Sequence, residues 1–302
     1  MKRFGLIGHP VAGSFSPKLF EAAYGGRYPY DLLEGAEFSA SWQRFLDEYD
    51  GINITAPFKE FAFRAVDALS DDARLCGAVN LAVKTPAGIV GYNTDVAGVV
   101  LAVREACRQA SPGAGEAAIG QSAGLASPSP QPVIPGSPGT QPVIPGSTSP
   151  QPVIPGSTDT QPVLPGSTGN LLKEALVVGC GGAGRAAAVA ALRLGCRVTL
   201  ANRTPSRAAA LAEELGCDWI PTEDLASLSP DLVIYTVPGP MDGFPEFPEA
   251  IILEANYRTP CLEGRGKAYI SGRRWLLFQA VAGYEIFTGE TPDAGSMFRI
   301  FC

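Results

Sequence analysis

The stretch ALVVGCGGAGRAAAVAALRLGCRVTLANRT, Ala175 to Thr204, decides the reading of this chain. It opens on a short apolar run, Ala175 to Val178, that reads as a buried strand. Gly179, Gly181 and Gly184 follow in the spacing G-x-G-x-x-G, with Gly182 and Ala183 between the last two. An alanine-rich helix to about Leu194 comes next, and Arg197 to Ala201 reads as a second strand, completing one βαβ unit. Glycines permit a tight turn and let backbone amides approach a pyrophosphate at the helix N-terminus. The spacing alone is a weak signal, and a glycine turn packed only for compactness has the same letters. Its place after a strand and before a helix makes it a dinucleotide fingerprint.

The end of the second strand selects the dinucleotide. An NAD site places an acid there for the ribose 2′-hydroxyl. This chain has Asn202, Arg203, Thr204 and, three residues on, Arg207. A guanidinium suits the 2′-phosphate of NADP through paired hydrogen bonds. The plain alternative is two solvated arginines at a helix start, where the helix dipole disfavours cations. Apolar runs at 231–237 and 250–255 predict further strands.

Working back toward the amino terminus, FGLIG and GINIT read as buried strands, with amphipathic helices near 17–24 and 39–49. Pro17 suits the first turn of a helix. Ser14 and Ser16 flank that start, where hydroxyls and free amides can hold a carboxylate; ordinary capping by Ser16 is the plain alternative. In GIVGYNTDVAG, Thr94 or Asp95 can cap a helix with Val96, Val99, Val100 and Val103 on its apolar face. The decapeptide GINITAPFKE, Gly51 to Glu60, places Asn53 and Thr55 on one face near a strand's C-terminal end, where open α/β sheets bind ligands. Pro57 then stops the strand and sets the turn that presents Lys59. The competing reading is a surface lysine on a loop. His9, beside Pro10, reads as structural.

Residues 111–170 separate the two halves. They hold 13 of the 27 prolines, two acids (Glu116 and Asp159) and no Lys or Arg. QPVIPGS or QPVLPGS recurs from Gln131, Gln141, Gln151 and Gln161. One or two aliphatic residues per unit cannot offset the entropy of ordering, so the segment is expected to be a disordered or loosely extended insert.

The 302 residues suffice for two domains, and 46% hydrophobic residues can fill their cores. A net charge of −7 argues against nucleic acid or an anionic membrane as partner. Seven cysteines without a C-x-x-C pair point to reduced thiols and a cytoplasmic protein. No apolar run approaches the length of a membrane span. His9 is the single histidine, which excludes a multi-histidine metal site.

GSFSP, NITAPFK, GAVN, NTDVAG, the glycine loop, NRTPSR and QAVAGYEIFTG occur in an order that resembles the shikimate dehydrogenase family. The resemblance covers everything but the proline-rich segment. It implies an α/β protein of two domains around a cleft: a substrate-binding and catalytic domain, 1–105, joined by C-terminal helices 272–302, and a Rossmann-type NADP-binding domain, 171–271. It implies reversible reduction of 3-dehydroshikimate to shikimate with NADP(H), by a monomer or homodimer. Lys59 and Asp95 match the catalytic pair; Ser14, Ser16, Thr55, Asn80, Tyr257 and Gln279 match substrate positions. Gly179, Gly181, Gly182, Ala183, Gly184, Asn202, Arg203, Thr204, Arg207 and Gly272 match cofactor positions. Reduction of a ketone develops negative charge on oxygen, and a lysine ammonium, with an ordinary pKa of about 10.4, is protonated at neutral pH and can donate. Asp95 would orient that ammonium.

The chain departs from the family pattern at three places. Tyr235-Thr236-Val237-Pro238-Gly239-Pro240-Met241 replaces N-A-T-P-x-G-M, the segment after Tyr257 is shortened, and Gly272-Arg273-Arg274-Trp275-Leu276 replaces G-x-G-M-L. Two other readings stay open: a quinate/shikimate dehydrogenase of broader substrate range, and a non-catalytic scaffold that presents proline-rich repeats.

Overall fold

The computed structural model describes residues 1–110 and 172–301. The insert expected at 111–170 lies outside the described residues. The first half runs β1 (Phe4–Gly8), α1 (Ser16–Tyr24), β2 (Tyr30–Glu34), α2 (Phe38–Glu48), β3 (Gly51–Ile54), α3 (Lys59–Ala65), β4 (Ala68–Leu69), α4 (Asp71–Cys76), β5 (Leu81–Thr85), β6 (Gly88–Tyr92) and α5 (Thr94–Ala110). Its sheet has the order β2-β1-β3-β5-β6-β4. β1 pairs parallel with β2 and β3, and β5 pairs antiparallel with β3 and β6. β1 and β3 are buried along their whole length, as FGLIG and GINI require of central strands.

The second half runs β7 (Glu174–Val178), α6 (Gly182–Arg193), β8 (Arg197–Ala201), α7 (Pro205–Leu215), β9 (Asp218–Trp219), a 3-10 turn (Thr222–Ser227), β10 (Leu232–Tyr235), β11 (Ile251–Glu254) and β12 (Ala268–Ser271). Its sheet is parallel throughout, in the order β12-β11-β10-β7-β8-β9. Helix α8 (Gly272–Thr288) and the short α9 (Ala294–Phe298) follow.

α8 does not stay with the sheet that precedes it. Its Leu277, Ala280, Tyr284 and Phe287 pack into a core with Phe4, Leu19, Phe20, Tyr24 and Leu81 of the first half. α5 and α8 approach closely at Gly98, where an added Cβ would lie 2.8 Å from both Trp275 Cδ1 and Gln279 Cβ. A second core, Trp42, Phe45, Ile52, Ile54 and Phe58, covers the opposite face of the first sheet. A third is continuous from Val96, Val99 and Val103 of α5 to Ala187, Ala190 and Ala191 of α6. The alanines that raise helix propensity there also let the helices pack tightly. Away from these cores, Arg193 of α6 meets Asp72 of α4 at 3.1 Å, and Arg185 Nε donates to the Leu75 carbonyl at 2.7 Å.

The structure moves several expected boundaries. GINIT stops as a strand at Ile54, although the Thr55 amide still donates to the Ile7 carbonyl at 2.9 Å. The strands expected at 231–237 and 250–255 are the shorter β10 and β11. The turn at Ala56 and Pro57 does present Lys59, and the lysine also begins a helix that was not expected, α3.

Candidate active site

The sequence places its polar motifs at the C-terminal ends of β1, β3 and β7, and the fold turns these ends toward one cleft of about 480 Å³. Ser14 and Ser16 come from the loop into α1. Here the expectation of capping by Ser16 is corrected: the N-cap position is Phe15, without a side-chain cap bond. Ser14 Oγ instead accepts from the Ser16 amide at 3.2 Å and lies 3.1 Å from Ser16 Oγ, so both hydroxyls stand at the cleft wall. Thr55 follows β3, and its carbonyl accepts from the Phe58 amide in the turn that leads to Lys59.

Lys59 Nζ donates to Asp95 Oδ2 at 2.6 Å. The lysine side chain keeps 31% of its surface and the aspartate 15%, so the pair is accessible from the cleft but largely enclosed. Capping of α5 does not occupy Asp95. Asn93 Oδ1 accepts from the Asp95 amide at 3.2 Å, which corrects the expectation that Thr94 or Asp95 is the cap. The Asp95 backbone is fixed from α8, where Trp275 Nε1 donates to its carbonyl at 2.9 Å.

Behind the pair lies a buried amide network. Asn80 Oδ1 accepts from the Thr94 amide at 2.8 Å, and Asn80 Nδ2 donates to Thr94 Oγ1 at 3.2 Å and Gln279 Oε1 at 3.3 Å. Asn53 Oδ1 accepts from the Tyr30 hydroxyl at 2.8 Å. These bonds orient Asn80 and Gln279 toward the same space as Lys59. The sequence reading missed Trp275 and Asn93 as positioning groups. Asn93 carries the cap signal one residue before Thr94, whereas Trp275 stands 180 residues from its acceptor and leaves no local sign.

Ala183, Tyr257 and Gly272 enter the cleft from the second half. The Tyr257 ring meets Phe15 edge-on at 6.4 Å between centroids. Gly272 is required by packing, since an added Cβ would overlap the Ala255 carbonyl. The glycine turn fits a pyrophosphate. Gly179 has φ +101°, a left-handed conformation that disfavours side chains. A Cβ at Gly184 would overlap the Gly179 carbonyl, whereas Gly181 and Gly182 face open space at the start of α6. Asn202 Oδ1 accepts from the Cys180 amide at 3.2 Å and ties the turn to the end of β8. Arg203, Thr204 and Arg207 are exposed beyond it, and neither guanidinium has an ion-pair partner among the described residues. His9 stands outside the cleft beside Glu34, at 3.8 Å. Among the described residues no group of three His, Cys, Asp or Glu side chains is placed to hold a metal ion.

A parallel dinucleotide-type sheet facing a Lys–Asp pair across a cleft defines a two-domain α/β dehydrogenase. At 32% identity the chain matches the shikimate dehydrogenase (NADP(+)) of Rubrobacter xylanophilus over 98% of its own length and 93% of that protein. The chain belongs to the shikimate dehydrogenase family. A family model for the shikimate dehydrogenase substrate binding domain matches residues 6–82. The shikimate dehydrogenase (NADP(+)) of Acidiphilium cryptum is 31% identical over 95% of this chain and 91% of its own. The crystal structure of shikimate 5-dehydrogenase from Thermus thermophilus in complex with NADP(H) and shikimate superposes with a TM-score of 0.71. It is 26% identical and covers 99% of this chain and 98% of that one.

Proposed function

We propose that the chain catalyses the reversible reduction of 3-dehydroshikimate to shikimate with NADPH, the hydride step of aromatic amino acid biosynthesis. The observation that carries this reading is the 2.6 Å Lys59–Asp95 pair in the cleft that Ala183 of the glycine turn also lines. Relatives named for this activity and a neighbour solved with NADP(H) and shikimate support it.

Bound NADPH supplies the hydride. Gly179 to Gly184 would cradle its pyrophosphate, with Asn202, Thr204, Arg203 and Arg207 toward the 2′-phosphate. As charge develops on the ketone oxygen, the Lys59 ammonium donates a proton to it; in the oxidative direction the amine takes that proton back. Asp95 holds the ammonium and accepts from a neighbouring ring hydroxyl. Ser14 and Ser16 bind the carboxylate, and Thr55, Asn80, Tyr257 and Gln279 orient the ring by its hydroxyls. Trp275 acts through Asp95 as a positioning residue. Residues 1–105 with 272–302 form the substrate domain in this reading, and 171–271 the dinucleotide domain.

Among the described residues no helix is long and apolar enough to cross a membrane. Cys76, Cys180, Cys196, Cys217 and Cys261 are free thiols, which fits a cytoplasmic enzyme, a monomer or homodimer acting on a small molecule. The test is an NADPH-oxidation assay with 3-dehydroshikimate. Turnover dependent on that ketone is expected. Its absence in folded, NADPH-binding protein would remove the enzymatic reading and leave the scaffold.

A further inference from the structure

The shortened segment after Tyr257 leaves an arginine at the mouth of the cleft. The charged side chains among the lining residues are Lys59, Asp95 and Arg258. Lys59 and Asp95 neutralise one another at 2.6 Å. Arg258 makes no ion pair among the described residues, so the lining carries one uncompensated positive charge.

The backbone that presents Arg258 is held at both ends. Asn256 Oδ1 accepts from the amides of Arg258 and Thr259, each at 3.2 Å. Asn256 Nδ2 donates to the Pro238 carbonyl at 2.8 Å and to the Thr259 carbonyl at 3.0 Å. On the other side, the fully buried Glu254 accepts from the Cys261 amide at 2.8 Å and the Leu262 amide at 3.1 Å. The Phe15–Tyr257 contact sets this segment against the loop of Ser14 and Ser16. Two neutral hydroxyls and an unpaired guanidinium thus line the same cleft, on segments joined by the Phe15–Tyr257 contact.

We propose that Arg258 is a specificity-determining substrate contact whose guanidinium binds the substrate carboxylate together with the Ser14 and Ser16 hydroxyls. This rests on the reading of the substrate as a monoanionic hydroxy acid. Hydroxyls satisfy a carboxylate's hydrogen bonds but not its charge, and moving that charge out of water is costly without a counter-charge. Lys59 is committed to Asp95. A guanidinium offers paired donors in the geometry a carboxylate accepts, and the cleft's single net charge matches a monoanion.

The test is steady-state kinetics of the full chain with Arg258→Gln and Arg258→Lys, using shikimate and its methyl ester with NADP. Arg258→Gln is expected to raise KM for shikimate about ten-fold, with a smaller change in kcat and in KM for NADP. Arg258→Lys is expected to recover part of the loss. The preference of the wild type for shikimate over its methyl ester should shrink by a similar factor in Arg258→Gln, because the ester lacks the charge. An unchanged KM for shikimate in Arg258→Gln, or a rise confined to NADP, overturns the assignment and makes Arg258 a bystander or a dinucleotide contact. Wild-type protein inactive on shikimate and 3-dehydroshikimate would overturn the functional reading, and the carboxylate assignment with it.

Discussion

At the scale of single residues, the site turns on one ion pair whose alternatives the geometry separates. Asp95 sits at a helix start, where an aspartate is commonly a cap, yet Asn93 already satisfies its amide. Asp95→Asn should therefore remove no helix cap, and it should lower kcat by far more than the loss of its ion pair with Lys59 lowers Tm. Lys59→Ala should lower kcat by about 10²–10⁴, the usual contribution of a general acid–base group, with a smaller effect on KM. If the two act as one unit, the double variant will be far less impaired than the product of the single effects. Near-wild-type turnover by Lys59→Ala would return this lysine to the surface. Arg203 makes a separate prediction. It is exposed and unpaired among the described residues, so Arg203→Asp should cost no stability. On the proposed reading, in which the Arg203 guanidinium meets the 2′-phosphate, this change should lower the ratio of kcat/KM for NADPH over NADH by about ten-fold or more. A wild type that already favours NADH would contradict the argument.

At the scale of elements, what was legible in the sequence depended on length and on local signals. The β7–α6–β8 unit was readable because glycine spacing, alanine content and apolar runs all act within one short βαβ unit. β1 was readable as an unbroken run without polar residues, and β3 by Ile52 and Ile54 around the single polar Asn53. β2 was not, because only Leu33 of its five residues is buried and its pairing with β1 comes from outside the segment. α3 has seven residues, too few to display a helical period, so the sequence shows the turn set by Pro57 but not the helix that starts at Lys59. Asn80 and Gln279, which line the cleft, gave no local sign, and only the family resemblance pointed to them. Glu254, at the end of β11, escaped notice as one more residue of an apolar strand. It is wholly buried, and its Oε2 also accepts from the Tyr269 hydroxyl at 2.9 Å. Glu254→Ala would strand the Cys261 and Leu262 amides and is expected to cost about 3 kcal/mol. The same change should raise KM for the substrate acid, since the segment bearing Tyr257 would lose its anchor. Calorimetry and kinetics on one preparation will show whether both effects appear.

At the scale of the whole molecule, thiols and phenols set an alkaline limit. Burial pushes Cys76 up to about 12 and Cys180, Cys196 and Cys261 up to about 11. Burial likewise raises Tyr24 and Tyr235 to about 12. Unfolded thiols ionise at about 8.5 and phenols at about 10, so the native state holds these protons where the unfolded chain has released them. Their contribution is complete below the unfolded values and is lost as pH rises toward the folded ones. Tm should therefore decline steadily from about pH 8.5 upward. A Tm that stays flat to about pH 11 would show that these groups open without cost.

The path of the chain has one more consequence, for synthesis. Phe4, Phe20 and Leu81 are covered by Leu277, Tyr284 and Phe287 of α8. On the ribosome that cover emerges only after the entire second sheet has been made. A nascent chain halted before Gly272 has every strand of both sheets, yet it presents a wet aromatic face at its amino-terminal half. That half is finished last although it is translated first, and the newborn polypeptide needs shielding there, not at the half that carries the parallel sheet.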